Sequence, residues 1–118
     1  MDKAELERRT KAFALKVVAF VAGLSPDKVT HTLGTQLLKS GTSVGANYRE
    51  ANRAQSKSDF IHKIAIVEKE AAETQYWLEL LSESNIGRPE DRRRLLEESP
   101  ELLAIFTSIG KTSKFRRS

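Results

Sequence analysis

Apolar residues recur at helical spacing along nearly the whole chain. One face of the first segment carries Leu6, Phe13, Val17, Phe20 and Leu24. These positions advance by three, four or seven residues, as the buried face of a helix does. Leu15, Val18 and Ala22 widen this face, so the helix must be covered by more than one neighbour. The pattern predicts a first helix over residues 3–22.

A second helix is predicted over residues 26–54. Ser25-Pro26-Asp27 supplies an N-cap, a first-turn proline and an acid that the helix dipole favours. Its apolar face consists of Val29, Leu33, Leu37, Val44 and Tyr48. Gly34, Gly41 and Gly45 share one face, which predicts that another backbone packs closely there. A kink near Gly41 is the alternative.

A third helix is predicted over residues 57–84, where Ser56 and Asp59 resemble a capping box. Its buried face consists of Phe60, Ile64, Val67, Ala71, Thr74, Leu78 and Leu81. Steps of four and three alternate along this face, as in a heptad seam. Gly87 separates the third helix from a fourth over residues 89–111. There Pro100 leaves two alternatives open, a kinked helix or two shorter ones.

The connections between these helices are short, which favours antiparallel neighbours. No segment shows the period-two alternation of a strand. The sequence therefore predicts an all-α, antiparallel up-down four-helix bundle, a single domain over residues 1–118 with a basic tail at 111–118. The first and third helices carry a surplus of apolar surface.

Composition narrows the class of protein. The chain has 118 residues, a formal charge of +4 and no cysteine, which removes disulfides, a thiol nucleophile and thiolate metal ligands. No apolar run approaches the length of about 18 residues that a membrane span requires. The charged first segment is unlike a signal or transit peptide. We expect a cytoplasmic protein with no membrane partner.

The modest positive charge is unevenly placed along the chain. No acid follows Glu101, and residues 39–63 contain more bases than acids. Basic side chains bind nucleic acid by neutralising phosphates, so RNA or DNA is a predicted partner; an ordinary solvated surface is the alternative. The candidate contacts are Arg49, Arg53, Lys57, Lys63, Arg92, Arg93, Arg94, Lys111, Lys114, Arg116 and Arg117.

Residues with catalytic or metal-binding potential do not combine into a known site. Glu68, Glu70 and Glu73 in the third helix invite comparison with di-iron bundles. However, neither His31 nor His62 follows a glutamate by three residues, as those sites require. No strand precedes a glycine-rich phosphate loop. We expect no enzyme activity, no metal and no cofactor.

A row of polar residues accompanies the apolar faces of the second and third helices. It consists of Ser43, Asn47, Glu50, Glu70, Glu73, Tyr76 and Trp77. Partly buried carboxylates need hydrogen-bond or charge partners. Our hypothesis is that Asn47 and either Arg49 or Arg53 pair with one of the third-helix glutamates in this row. The pairing would fix helix register and assembly; a ligand-binding groove is the alternative.

Two stretches of the chain carry a family resemblance. Gln36 to Ala51, including Gly41-Thr42-Ser43-Val44-Gly45-Ala46-Asn47-Tyr48-Arg49-Glu50, resembles the second-helix signature of the bacterial "four helix bundle protein" family. Lys69 to Leu81 resembles the third-helix signature, and Ser56 to Phe60 and Lys63 match as well. Members of this family were first met as proteins encoded in intervening sequences of large-subunit ribosomal RNA genes. Pro100 and the Arg92-Arg93-Arg94 run depart from the family pattern.

The resemblance implies a four-helix subunit that assembles into a ring-like homopentamer with an open centre. It also implies distant similarity to accessory proteins of diversity-generating retroelements, which bind a reverse transcriptase and nucleic acid through basic surfaces. The first functional hypothesis is a non-catalytic oligomeric module that binds nucleic acid or a nucleoprotein enzyme such as a reverse transcriptase. The alternative is a purely structural, protein-binding module with no nucleic-acid role.

Overall fold

The structure, a computed structural model, describes residues 1–115. These residues form four helices and no strand. The helices are α1 (Lys3–Ala22), α2 (Lys28–Asn52), α3 (Lys57–Glu83) and α4 (Pro89–Phe115). This confirms the predicted all-α class and the number of helices. The predicted starts of α1, α3 and α4 agree with the structure, whereas α2 begins two residues later than expected.

Neighbouring helices along the chain pack against each other, and α1 and α4 share the smallest interface of the bundle. The described part of the molecule is elongated, with principal extents of 50 × 23 × 21 Å. One continuous core runs along it. The fully buried large side chains include Phe13, Val17, Leu37, Ile64 and Phe106. The weak α1–α4 interface therefore leaves an open seam on one side of this core.

Helix starts are set by polar caps, one of which differs from the sequence prediction. Asp27, not Ser25, is the N-cap of α2, and its carboxylate accepts a hydrogen bond from the Thr30 N–H at 3.0 Å. The Ser25 hydroxyl instead donates to Asp27 at 2.6 Å. These two hydrogen bonds, Ser25 first, lower the pKa of Asp27 to about 2. Ser56 caps α3 as predicted and accepts from the Asp59 N–H at 3.0 Å.

The α3–α4 connection depends on two residues with left-handed backbone geometry. Asn85 has φ 55° and Gly87 has φ 84°. A Cβ added to Gly87 would lie 2.5 Å from the Cζ of Phe20. Glycine is therefore needed here both for the turn and for the close approach of Phe20, which closes this end of the core.

Most positions of the predicted apolar faces lie in the observed core. Six of the seven positions in the α3 seam are buried, but Phe60 is only half-buried, as are Leu24 and Leu33. Val29, which the sequence places on the apolar face of α2, is 62% exposed. The inward position in the first turn of α2 belongs to Thr30 instead. On α1, Leu15 and Val18 remain 60% and 44% exposed.

The glycines of α2 allow α1 to approach closely. A Cβ added to Gly41 would lie 3.0 Å from both methyl carbons of Val17. A Cβ added to Gly45 would lie 3.1 Å from the hydroxyl of Thr10, which donates to the carbonyl oxygens of Leu6 and Glu7. Close packing at these glycines was the favoured prediction, and it is confirmed. The helix runs through Gly41 without a break.

Pro100 lies within α4 and does not divide it, because a single helix runs from Pro89 to Phe115. Proline has no N–H to donate to the carbonyl one turn earlier. Its ring is exposed, whereas the adjacent Ser99 faces the core. The prolyl ring therefore occupies no core space, and the helix accommodates it on its outer face.

The contact at Gly41 should be sensitive to any added side chain. Gly41→Val would force new methyl groups against the fully buried Val17, and overpacking of this kind costs about 1–3 kcal/mol. The matched control is Thr32→Val, which introduces the same side chain at an exposed position of α2. Urea unfolding followed by circular dichroism should show a lowered free energy for the first variant only. Equal stabilities would contradict the close packing described above.

Candidate nucleic-acid interface

The up-down connectivity brings four distant segments to the same end of the bundle. Lys3, Asn52, Phe60 and Ile109 line a common pocket there, although they belong to four different helices. We call the end formed by residues 1–11, 46–63 and 104–115 the basic end. The opposite end is formed by residues 16–38 and 76–99, where Phe20 meets Gly87.

Cations from all four helices lie at the basic end. Its described ranges include ten cations and five carboxylates. The ten cations are Lys3, Arg8, Arg9, Lys11, Arg49, Arg53, Lys57, Lys63, Lys111 and Lys114. Three further carboxylates contact these ranges. Glu98 and Glu101 pair with Arg9, and Glu68 accepts a hydrogen bond from Thr107. The excess of cations at this end is therefore small, and what distinguishes the end is that all four helices contribute cations to it.

Three of the five carboxylates at the basic end are engaged by other groups. Asp2 accepts the Glu5 N–H at 2.8 Å, a backbone hydrogen bond that lowers the pKa of Asp2. Glu7 accepts the Nδ2–H of Asn52 at 2.8 Å and lies 3.7 Å from Arg49. Asp59 lies 3.6 Å from Lys63. These contacts reduce the negative field that an approaching anion meets.

A groove between α1 and α2 lies within the basic end. It has a volume of about 420 Å³, and its lining includes Lys11, Arg49, Arg53 and Glu50. Gly45 also lines it and contributes no side chain to fill it. Lys11 and Arg53 are exposed, and neither makes an ion pair with another residue of the described chain. The groove thus offers two unpaired cations beside one exposed carboxylate.

The remaining basic candidates on α3 and α4 lie nearby or outside the described residues. Lys57 is the first residue of α3 and is exposed. Lys111 lines a groove between α3 and α4, and Lys114 is exposed in the last turn of α4. Arg116 and Arg117 lie outside the residues that the structure describes.

The three consecutive arginines of α4 lie at the opposite end, away from the other candidates. Arg92 is only 7% exposed, and its Nη1–H donates to the carbonyl oxygens of Ser82 at 3.1 Å and Leu81 at 3.4 Å. These carbonyls belong to the last turn of α3 and also accept the backbone N–H groups of Ile86 at 2.9 Å and Asn85 at 3.0 Å. Arg92 therefore supplements the C-terminal cap of α3, and in this arrangement its guanidinium is turned away from solvent phosphates.

The other two arginines of this run are exposed but paired with acids. Arg93 lies 3.3 Å from Glu90 and 3.1 Å from Glu97, and Arg94 lies 3.8 Å from Glu90. All three contacts are local pairs on one helix, three or four residues apart. The Arg92–Arg94 run therefore consists of one structural cap and two charges balanced by neighbouring glutamates.

The predicted pairing between α2 and α3 is wrong in its partners. Asn47 donates its Nδ2–H to the carbonyl of Ser43 on its own helix at 2.8 Å. Arg49 pairs with Glu7 of α1, not with α3. The pairing failed because helical periodicity fixes the face of a residue but not which of two adjacent helices its side chain reaches.

The α3 members of the polar row remain near the surface. Burial, and next the charge of Glu73, raises the pKa of Glu70, while Lys69 and Lys39 act in the opposite direction. Tyr76 is 53% exposed and contacts Trp77 edge to face, with ring centroids 5.1 Å apart. Glu50 and Glu73 are exposed as well.

One contact of structural importance was missed by sequence reasoning. Arg9 donates from Nε and Nη2 to the two carboxylate oxygens of Glu98, both at 2.7 Å, and from Nη2 to Glu101 at 3.1 Å. This bidentate pair joins α1 to α4 across the open seam and raises the pKa of Arg9. The partners are 89 residues apart, so no local pattern indicates the pair.

Neither a metal cluster nor a membrane span is found in the described part of the chain. Within residues 1–115 no three His, Asp or Glu side chains are grouped so that they could hold a metal ion. No helix over the same residues combines the length and apolar character needed to cross a membrane.

The geometry defines a small all-α protein, a four-helix subunit with cations from all four helices at one end. The sequence matches the family model described as 23S rRNA-intervening sequence protein over residues 3–108. The chain belongs to that family, which confirms the resemblance drawn from α2 and α3. A search of curated proteins found no match.

A solved structure supports the same assignment. The fold is similar to the crystal structure, at 1.70 Å resolution, of a protein of unknown function from the S23 ribosomal protein family of Bacteroides thetaiotaomicron VPI-5482. The TM-score is 0.84 and the sequences are 38% identical, over 94% of this chain and 99% of that chain. The two proteins therefore share their architecture over nearly their full lengths.

The role of Arg92 is open to a direct stability test. Arg92→Met keeps a long apolar side chain but removes the donors to the last turn of α3, which should lower the free energy of unfolding by about 1–3 kcal/mol. Arg93→Met, at an exposed position of the same helix, should change it by less than about 0.5 kcal/mol. Urea unfolding measures both. Equal effects would show that Arg92 is not a structural cap.

Proposed function

We propose that the protein is a non-catalytic, oligomeric helical-bundle module that binds nucleic acid through its basic end. One observation carries the proposal. Six of the cations predicted as nucleic-acid contacts gather at this end of the bundle, although they come from three different helices and a connecting turn. They are Arg49, Arg53, Lys57, Lys63, Lys111 and Lys114.

The binding chemistry is electrostatic. Exposed lysine and arginine side chains displace condensed counterions from phosphates, so affinity falls linearly with the logarithm of salt concentration. The groove between α1 and α2 contributes Lys11 and Arg53, which have no ion-pair partner among residues 1–115. Arginine matches phosphate geometry with a planar fork, whereas lysine acts as a point charge. The first contact of an anionic partner is therefore with α1 and the C-terminal turn of α2.

The similar crystal structure makes RNA the first partner to test. The family description names the intervening sequences of 23S rRNA, in which such proteins are encoded, and the similar protein is assigned to a ribosomal protein family. The second of these supports RNA as a partner. A nucleoprotein enzyme such as a reverse transcriptase, which the sequence resemblance implies for distant relatives, would use the same charged end. A structured RNA without protein is therefore the first probe. Binding to it would show that the charged end does not need a protein component in its partner.

Self-association is the second part of the proposal. Leu15 and Val18 lie together on α1 and remain 60% and 44% exposed in the single chain. Large apolar side chains that adjoin one another on a helix mark an interaction surface more often than isolated ones do. The resemblance makes five copies the expected number, and a ring of five would present five basic ends to one nucleic acid.

Nucleic-acid binding is tested with two variants of equal charge change. Arg53→Ser/Lys111→Ser/Lys114→Ser removes three cations from the basic end. Arg88→Ser/Arg93→Ser/Arg94→Ser removes three exposed cations from the opposite end. In anisotropy titrations against a structured RNA and a DNA duplex, the first variant should weaken binding at least tenfold. The slope of the salt plot should fall by about three, because each phosphate contact contributes about one.

The opposite-end variant is the matched control and should bind as the wild type does. Equal losses in both variants would mean that net charge alone governs binding, which would remove the basic end from the proposal. Absence of binding by the wild type at low salt would overturn the nucleic-acid function. The purely structural alternative would then be favoured, since the exposed apolar residues of α1 need a cover in either case.

The α1 surface is tested by oligomer mass. Leu15→Glu/Val18→Glu introduces charges into the proposed interface and should reduce the mass in solution to that of one 13.2 kDa chain. Thr32→Glu/Thr35→Glu adds the same charge at exposed positions of α2 and should leave the mass unchanged. Light scattering after gel filtration measures both. A wild type that is monomeric at all concentrations would contradict self-association.

A further inference from the structure

An apolar pocket opens at the centre of the basic end. It lies between the first turns of α1 and the C-terminal half of α4 and has a volume of about 590 Å³. Leu6 and Tyr48 line it together with Phe60, Ile105 and Ile109. The pocket exists because α1 and α4 share the smallest interface of the bundle and leave the core edge uncovered.

The pocket combines a rigid base with accessible walls. Leu6 and Tyr48 are only 3% exposed, and the Tyr48 ring is held edge to face against Phe106 with centroids 5.2 Å apart. Phe60, Ile105 and Ile109 are half-buried, so part of each side chain is accessible to a ligand. Such a lining favours a flat apolar group, because an aromatic ring and branched aliphatic side chains both contact its faces.

Asn52 contributes a polar edge to the pocket wall. Its Nδ2–H donates to Glu7 at 2.8 Å, which fixes the orientation of the amide. Burial raises the pKa of Tyr48 and a side-chain hydrogen bond with Asn52 opposes that shift, so the amide lies against the tyrosine side chain. The Oδ1 of Asn52 is enclosed and presents no surface to the pocket. Recognition of a ligand by this pocket therefore depends on its apolar lining.

Three cations lie in or near the pocket. Lys3 belongs to its lining. Lys57 lies one helical turn before Phe60 on α3, and Lys111 lines the neighbouring α3–α4 groove, which shares Ala104 and Ser108 with the pocket. A flat group attached to a phosphate-bearing chain therefore meets apolar surface inside the pocket and positive charge outside it.

We infer that this pocket receives one unpaired nucleobase while the nearby cations contact the adjoining phosphates. The inference rests on the proposed function and adds a preference for single-stranded or looped nucleic acid. Bases within a duplex are stacked and paired, so they reach such a pocket only after unstacking. Sequence reasoning missed this site because it assigned Phe60 to the buried seam of α3.

The first test changes the nucleic acid and leaves the protein unchanged. The wild type is titrated with a single strand, with a duplex of the same length, and with the same single strand carrying abasic sites. We expect the intact single strand to bind about tenfold more tightly than the abasic strand, since one stacked base typically contributes at least that factor. The duplex should resemble the abasic strand.

Variants then locate the base within the molecule. Phe60→Leu removes the aromatic face and should abolish the preference for the intact strand over the abasic strand. Phe115→Ala is the matched control, because Phe115 is an aromatic residue of the same end that is 92% exposed and does not line the pocket. Ser108→Trp fills the pocket from an exposed lining position and removes no core side chain, so it tests the same site if Phe60→Leu is unstable.

The outcomes separate the two proposals. Equal affinity for the intact strand, the abasic strand and the duplex would overturn the base pocket and leave electrostatic binding by the basic end in place. Binding to none of them would overturn the proposed function itself. A base preference that survives both Phe60→Leu and Ser108→Trp, or that is lost in Phe115→Ala, would place the base elsewhere and overturn this inference.

Discussion

The approach of α1 to the glycines of α2 is the contact on which the remaining structure depends. Gly41 and Gly45 carry no side chains. Atoms of Val17 and Thr10 therefore lie only 3.0–3.1 Å from the positions that a Cβ at each glycine would occupy. Glycine in a helix interior costs roughly 0.5–1 kcal/mol relative to alanine. The packing of Val17 against the glycine surface offsets this cost, since Val17 becomes fully buried. The apolar packing of α1 is thus mainly with α2, and α1 meets α4 over a much smaller interface.

The open seam between α1 and α4 follows from the difference in size between the α1–α2 and α1–α4 interfaces. An up-down bundle of four equal contacts would close on itself, but here one interface is much smaller than the others. Arg9 spans the seam with its bidentate contact to Glu98, which fixes the separation of the two helices without filling the space between them. The pocket lined by Tyr48 and Phe60 lies beyond this contact. An open pocket can therefore exist at the edge of a well-packed core.

Sequence periodicity predicted the helices well, because burial of one face is a local property of each segment. It succeeded for the α3 seam and for the glycine face of α2. It could not identify Asp27 as the α2 cap in place of Ser25, since both residues are good caps and only the chain path decides. Nor could it distinguish Arg92 from Arg93, because burial of one arginine in a basic run depends on where α3 ends.

Topology, not local composition, determines which charges act together. Arg92, Arg93 and Arg94 are consecutive in the sequence, and this made them the most conspicuous basic feature, yet one caps a helix and two pair with acids. The cations of the basic end are scattered over the chain, and the antiparallel path of the helices collects them. Taken singly in the sequence, none of these cations indicates that it belongs to a common surface. Their common location gives a chain of small net charge one end to which cations from all four helices contribute, beside an apolar pocket.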